Sequence, residues 1–506
     1  MLAQAISFGL SGLSGFPVEV EADISPGLGA YETVGLPDAV VKESRERVRA
    51  AVKNSGYPYP IAHITVSLAP ADVRKEGSLY DLPIALSLLA ASGLVPQPPL
   101  RETVILGELA LNGDVRPVNG VLPMVIEGRS RGYTAFLVPA GNGEEAACVE
   151  GVRILPVRSL QEAVDYLRGA AEIQPLPMTR FDREELVYSS DFADIRGQAA
   201  AKRAAEIAVA GGHNLLLCGT PGSGKTMLAR AIPSILPELT FEEALEITKI
   251  HSLTGRRGLV KERPFRAPHH GASAAALVGG GTKAQPGEIS LAHLGVLFLD
   301  EFPEFQRTVL ESLRQPLEDG CITVSRAMAS STYPAAFILV AAMNPCPCGN
   351  RGSRQRRCTC TPVQIQRYVK RLSGPLLDRI DIQMEMHEVP LEELSQKQRG
   401  ECSAVIRQRV NLARQRQRER FKEESIHMNA QMNVRQLETY CPLSPECRSL
   451  LQQVFTRMHL SARGYQRIRK VARTIADLEG REQIEPRHLS EAIRYRSLPL
   501  LQEETL

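Results

Sequence analysis

Residues 214–226 read NLLLCGTPGSGKT, and residues 295–301 read GVLFLDE. The first stretch predicts a buried strand, a glycine-rich turn and the start of a helix. Gly219, Gly224, Lys225 and Thr226 stand in the register GxxxxGK[ST]. A turn of that kind aims successive backbone N–H groups inward, and the helix behind it adds its positive end. The expected nucleotide-binding positions are therefore Gly219, Thr220, Pro221, Gly222, Ser223, Gly224, Lys225, Thr226 and Met227. Lys225 is expected to reach the β- and γ-phosphates, and the Thr226 hydroxyl to ligate Mg²⁺. The second stretch is an apolar strand ending in two carboxylates. Asp300 is expected to hold the magnesium ion, and Glu301 to polarise the water that attacks the γ-phosphate. A chance glycine turn is the alternative. Here, though, the turn follows a strand, opens a helix and lies upstream of a strand ending in Asp-Glu. Together these features imply a nucleotide hydrolase using ATP and Mg²⁺.

Outward from that site, the chain of 506 residues has room for about three domains. With 43% hydrophobic and 23% charged residues the composition is that of a globular protein, which excludes a disordered chain. The net charge of +3 says little on its own. No apolar run reaches the roughly 18 residues that span a bilayer. The best one, 82–96, is interrupted by Ser87, Ser92 and Gly93. The opening MLAQAISFGLSG has no basic segment, so a secretory signal and a membrane partner are not expected. Ten cysteines in a chain of this size do not suggest a disulfide scaffold. The expected location is the cytoplasm.

Residues 1–168 alternate strand and helix patterns. VEVEADI (18–24) reads as a strand with one polar face, 39–54 as a charged amphipathic helix and IAHITVSL (61–68) as a strand. An apolar helix is expected over 82–91. Residues 103–117, with LGELALNGDVRP, read as a hairpin whose Asn112-Gly113 turn supplies positive φ. Short strands at 135–139 and 153–157 precede a helix over 159–167. VRKEGSLYDLPIAL (73–86) and VRPVNGVL (115–122) resemble the nucleophile and lysine loops of the Lon-protease-like domain, a ribosomal-protein-type α/β fold. A Ser–Lys dyad is required for that chemistry. The resemblance puts its serine position on Leu79 and its lysine position on Leu122, with Ser78 one residue off. Leucine can neither attack a carbonyl nor accept a proton, so the domain is expected to be noncatalytic, a scaffold or DNA-contact platform. Residues 169–190, with Pro175 and Pro177, read as a linker.

Residues 191–390 form the expected ATPase core. FADIRGQAAAKRAAEIAVAG (192–211) predicts a loop and a helix feeding the phosphate-loop strand. RAPHHGASAAALVGGG (266–281) is glycine-rich. Its His269-His270 pair has no evident third metal ligand, so loop hydrogen bonding is the expected role. An amphipathic helix is expected over 304–318, a hairpin over 321–331 and a buried strand over 335–344. Cys346, Cys348, Cys358 and Cys360 fall within fifteen residues. Four thiolates can make a tetrahedral structural zinc site, although the spacing is CxC rather than CxxC. Reduced cysteines without metal are the alternative. Arg351, Arg354, Arg356 and Arg357 lie inside this knuckle, where a rigid basic finger would suit phosphate.

Residues 391–506 read as a helical lid. Its first stretch, 391–424, reads as a long helix. RQRVNLARQRQRERFK (407–422) carries seven cations, opposed only by Glu419, which suggests an acidic partner or a solvated basic face. Residues 432–498 predict a small helical bundle.

Several segments resemble AAA+ ATPases, in an αβα sandwich with a helical lid. Asn344, ending the strand AAFILVAAMN (335–344), matches the residue that senses the γ-phosphate. Arg379, in GPLLDRIDI (374–382), matches an arginine finger that reaches a neighbouring subunit; pairing with Asp378 or Asp381 is the alternative. Arg463, opening ARGYQRIRKVARTIAD, matches the lid arginine over the β- and γ-phosphates, with Arg467 as fallback. Arg326 in the hairpin matches a DNA contact. Together with AGGHNLLLCGTPGSGKT, FRAPHH, PGEISLAHLGVLFLDEFPEF, NPCPCG and SARGYQRIRKVARTIADLEG, nearly the whole chain resembles the magnesium-chelatase-like AAA+ family named for YifB and ComM. The resemblance implies a homo-oligomeric ring, hexameric in ComM proteins. It also implies a DNA helicase that acts on single-stranded or branched DNA and promotes branch migration in recombination or natural transformation. A chelatase-type motor subunit acting on a metal-insertion or protein partner is the alternative, and an ATP-dependent protease is argued against by Leu79 and Leu122.

Overall fold

The computed structural model describes residues 1–181, 188–281, 284–326, 329–390, 393, 400–458 and 460–496. They fall into two compact units. One comprises Met1–Arg183, Thr240–Lys261 and Ser325–Tyr333; the other comprises Glu184–Leu239, Glu262–Val324 and Pro334–Leu506.

The first unit is built on β1 (Leu2–Ser11), β2 (Ser14–Ser25), β3 (Ala30–Val34), β4 (His63–Ala69), β5 (Thr103–Ile105), β6 (Ala135–Pro139) and β7 (Arg153–Val157). They form one sheet in the order β3-β4-β2-β1-β5-β6-β7. The long hairpin β1–β2 pairs Leu2 with Asp23 through Ser11 with Ser14, and β5, β6 and β7 run parallel. Side chains alternate between two cores, as a period of two requires. Ala3 and Ala5 enter one, whereas Phe8 enters the other. The helix Asp81–Ala91 is buried along its whole length, as expected for a segment apolar all round. Of the hairpin expected over 103–117, Glu108–Leu109 pairs with Val115–Arg116 with Gly113 at φ +90° in the turn, whereas Thr103–Ile105 is β5 of the main sheet. Helix Phe241–Ser252, opened by a Thr240–Glu243 capping box, belongs to this unit although it follows the phosphate loop in sequence. Its carbonyl at Ser252 accepts the Gly120 N–H at 3.1 Å.

The second unit centres on β8 (Leu215–Gly219), β9 (Phe265–Arg266), β10 (Val296–Leu299), β11 (Ile338–Met343) and β12 (Ile382–Met386). All five are parallel, in the order β9-β10-β11-β8-β12. Parallel strands are covered on both faces and read as continuous apolar runs, which LLLCG and VLFL are. The helix Ala199–Gly211 and the lid helices Ser403–Arg420 and Ala462–Leu478 share one core with the sheet. Leu215, Val340, Ala204, Ile406, Val410, Ile468 and Val471 all lie in it. The boundary expected at 390 is therefore not a boundary between compact units, because the lid helices bury their apolar faces on the same core as the sheet. Two helices also differ from expectation. The stretch 304–318 is broken into a 3-10 turn at Phe302–Glu304, a helix at Arg307–Ser312 and a turn at Pro316–Asp319. Pro316 lacks the N–H that a continuous helix would need there. In 391–424, residues 391–392 and 394–399 lie outside the described residues, and the described helix is Ser403–Arg420. No described helix is long and apolar enough to cross a membrane.

Candidate nucleotide site

β8 delivers the chain to Gly219, where a Cβ would stand 2.4 Å from the Met386 carbonyl oxygen, so only glycine fits. The turn then passes through Thr220, Pro221, Gly222, Ser223 and Gly224. Gly222 and Gly224 take φ of +81° and +91°, the left-handed region open to glycine. Lys225 opens the helix Lys225–Ala231 and is buried. Its ammonium donates to Gly219 O at 2.6 Å, Thr220 O at 2.9 Å and Asn344 Oδ1 at 3.2 Å. Burial pushes it below the ordinary lysine value. Next to it, the Thr226 hydroxyl donates to Asp300 Oδ2 at 2.9 Å, and Asp300 Oδ1 accepts the Glu301 N–H at 2.9 Å. β10 and β11 end beside each other and β11 beside β8, which brings Asp300 and Asn344 to the loop that β8 leads into. Met227, by contrast, is 46% exposed. The fold thus gathers Lys225, Thr226, Asp300 and Asn344 at the carboxyl ends of parallel strands, where ligands of open α/β sheets bind. A fixed cation, a row of backbone N–H groups and a hydroxyl–carboxylate pair suit a phosphate chain carrying a divalent ion.

Glu301 has φ +52° and ψ +43°, a strained setting for a residue with a side chain. Its carboxylate meets His270 Nδ1 at 2.9 Å. Gln198 bridges the loop to the last strand: its Nε2 donates to Ser223 O at 3.0 Å and to His387 O at 2.6 Å. Sequence reasoning left His270 as a generic loop residue. The FRAPHH and PGEIS motifs are joined by Arg266, which grips Glu288 with two bonds of 2.6 Å.

Arg379 and Arg463 form a second group. Both guanidinium groups bond one carboxylate, that of Glu318: Arg379 through Nη2, and Arg463 through Nη2 at 3.2 Å. Arg379 is 6% exposed, and its Nη1 donates to Pro375 O at 2.7 Å. Its acidic partner is thus Glu318, a residue without motif context, rather than Asp378 or Asp381. Arg463 likewise pairs with Glu318 and not with the Lys225 group. Arg467 instead donates to Arg379 O at 3.0 Å and to the Asp381 carboxylate. Burial opposes the charge of Asp381, but Arg467 and His213 outweigh it and hold the carboxyl well below the usual carboxylate range. Asn214, at the start of the phosphate-loop strand, ties these parts together. Its Nδ2 donates to Arg379 O at 3.0 Å, and its Oδ1 accepts the Leu339 N–H at 2.9 Å.

The four cysteines converge directly after Asn344. Cys346 Sγ lies 3.4 Å from Cys348 Sγ and 3.6 Å from Cys358 Sγ, Cys348 and Cys358 are 3.7 Å apart, and all four sulfurs lie within 4.8 Å of one another. A tetrahedral ion with bonds of about 2.3 Å places sulfurs about 3.8 Å apart, so the donor set fits zinc. Backbone N–H groups of Asn350 and Thr359 hold the Cys348 thiol down to about 5, whereas burial pushes the Cys346 thiol up to about 12. The knuckle also touches the phosphate loop, since a Cβ on Gly349 would lie 2.8 Å from Pro221 Cγ. Arg354, Arg356 and Arg357 are exposed.

The arginine run of the lid is largely used within the fold. Arg409 pairs with Glu206 and Glu401, Arg414 donates to Val209 O, and Arg416 and Arg420 bind the Asp477 carbonyl and carboxylate. The suggestion that this run faces an acidic partner is corrected accordingly for those four residues. Arg326 closes a strand, but its side chain lies outside the described residues. In the first unit Leu122 is fully buried, and the Ser78 hydroxyl donates to Glu108.

Comparison with known proteins matches residues 191–394 to the magnesium chelatase subunit ChlI family, 20–142 to the subunit ChlI of Mg-chelatase family and 400–496 to the ChlI C-terminal family. YifB of Escherichia coli is 46% identical over 495 residues, 97% of this chain and 96% of its own. Competence protein ComM of Haemophilus influenzae is 45% identical over 490 residues, 95% of this chain and 94% of its own. The chain belongs to the magnesium-chelatase-like AAA+ family of YifB and ComM. Membership agrees with the parallel α/β layer described above and implies the use of ATP and Mg²⁺. A 67 kDa magnesium-chelatase subunit of Chlorobaculum parvum is 32% identical over 160 residues, 30% of this chain and 23% of its own.

Proposed function

We propose that this YifB/ComM-family chain is an ATP-hydrolysing ring motor acting on DNA, a helicase that promotes branch migration of recombining or incoming strands. The observation that carries the hydrolase reading is the convergence of Lys225, Thr226, Asp300 and Asn344 around one glycine turn. In that reading Lys225 and the loop N–H groups hold the β- and γ-phosphates, and Thr226 and Asp300 hold Mg²⁺. Glu301 accepts the proton of the water that attacks the γ-phosphorus while the bond to the bridging oxygen breaks. Arg379 acts from a neighbouring subunit and Arg463 from the lid over the β- and γ-phosphates, so the ring, taken as a hexamer, is part of the catalyst. The four cysteines hold a structural zinc ion that stiffens the exposed arginines of the knuckle. The name of the Haemophilus relative supports a role in competence, and hence DNA as the partner.

Steady-state ATP hydrolysis, with and without single-stranded and four-way-junction DNA, tests the reading. Stimulation by DNA together with junction processing at low salt is the expected result. Hydrolysis indifferent to both, with no processing, would sink the DNA assignment and favour a chelatase-type motor. Support for that second motor comes from a likeness spanning 30% of this chain.

A further inference from the structure

The loop that follows β9 carries a histidine pair, and the second of the two reaches the hydrolytic carboxylate. His270 Nδ1 stands 2.9 Å from Glu301 Oε2. The imidazole is itself fixed on two sides. Its ring lies 4.1 Å from that of His269 between centroids, tilted by 34°, and meets Phe305 edge-on at 6.5 Å and 83°. His269 in turn is locked, its Nδ1 accepting the Gly271 N–H at 3.1 Å and its carbonyl the Ala272 N–H at 2.9 Å. The loop is anchored at its base by the two parallel hydrogen bonds that Arg266 donates to Glu288.

On the other side of the contact, Glu301 is 53% exposed, and its backbone lies in the left-handed region. A half-exposed carboxylate on a strained turn has several open rotamers unless something fixes it. A base must stay within hydrogen-bond reach of the proton it takes, and misplacement by about 1 Å costs about a hundredfold.

We propose that His270 is the positioning residue of the hydrolytic base, holding the Glu301 carboxylate against its imidazole. The inference rests on the assignment of Glu301 as that base. His270 does not touch the nucleotide in this scheme; it acts through Glu301.

Full-length protein at saturating concentration provides the test. His270→Ala is expected to lower kcat by about tenfold to a hundredfold, with KM and fluorescent-ADP affinity unchanged. His270→Asn keeps an N–H donor and is expected to restore part of kcat. In a Glu301→Gln background, His270→Ala should cause no further loss, since the two act as one unit. A kcat for His270→Ala within about twofold of the parent would overturn the proposal, as would a fall in nucleotide affinity or a full additional loss on top of Glu301→Gln. The two failures are separable. If Glu301→Gln hydrolyses normally, the assignment of the base is wrong; if Glu301→Gln is dead and His270→Ala normal, only the positioning role is.

Discussion

Lys225 spends all three of its ammonium hydrogens on two loop carbonyls and Asn344. A phosphate chain is a stronger acceptor than any of these, so the charge is held ready at low desolvation cost. Lys225→Ala is expected to weaken ADP and ATP binding at least tenfold, read by fluorescent-nucleotide titration, without altering the far-UV circular dichroism spectrum. Lys225, Thr226 and Asp300 were legible because each sits at a fixed offset within a local motif, and the backbone turn that aims them is encoded in the same few residues. Glu318 sits in no motif, and the motif around His270 does not name its partner; they gain meaning only from Arg379 and Arg463 in one case and Glu301 in the other. A further residue carries a pH signature. Glu145 is 1% exposed, and its Oε2 has no partner among the described residues. Burial pushes its carboxyl up to about 7, against the opposing bond from Asn142. Its raised value means that the folded chain binds more protons than the unfolded one from roughly pH 4.5 to 7. Stability from this group is therefore complete below that window and lost as pH rises through it. Glu145→Gln should flatten that slope and raise unfolding stability at pH 8 by up to about 3 kcal/mol in denaturant titrations.

At the scale of elements, composition misleads where the fold supplies partners. The helix Ser403–Arg420 looks like a docking face in the sequence because its counter-charges are remote: Glu206 lies in the helix Ala199–Gly211 and Asp477 in the helix Ala462–Leu478. Charge runs carry no record of acids brought in by tertiary contacts. The cysteine knuckle behaves in the opposite way. Its ligands are local, so spacing was enough to suggest a metal, and the sulfur separations near 3.5 Å agree. Purified protein is expected to contain one zinc per chain by elemental analysis. Cys346→Ser with Cys348→Ser should abolish it and lower the melting temperature by several degrees, since binding a structural ion is folding free energy. Metal-free protein with unchanged melting would show that the cysteines only line a loop. The segment 304–318 shows a third case. Its apolar spacing is helical, yet the chain breaks after Glu304 and Pro316 starts a separate turn, so the expected single helix is not continuous.

At the scale of the whole molecule, the lid helices and the five-stranded sheet are one core, with Ile406, Val410, Ile468 and Val471 packed with Leu215 and Val340. A chain ending at residue 390 would expose that apolar face, and it is expected to lose cooperative thermal unfolding and to aggregate on calorimetry. Arg379 makes a prediction about assembly. Its side chain is 7% exposed and paired with Glu318, so in the proposed ring it must exchange that carboxylate for a neighbour's phosphate. ATP turnover per chain should therefore rise with protein concentration. Arg379→Ala should remove most of that turnover, by about 10³-fold if it matches other arginine fingers, with nucleotide binding intact. Turnover independent of concentration and of Arg379 would leave the finger elsewhere. The sequence by itself determined the parallel nucleotide-binding sheet, the phosphate loop and the cysteine knuckle, because each is written in contiguous residues whose local geometry follows from glycine, lysine or thiol spacing. Only the tertiary structure decided that the lid shares the sheet's core, that helix Phe241–Ser252 belongs with the first unit and that Glu318 gathers two arginines. Those are long-range choices, made by burial and charge pairing between segments that carry no mark of each other.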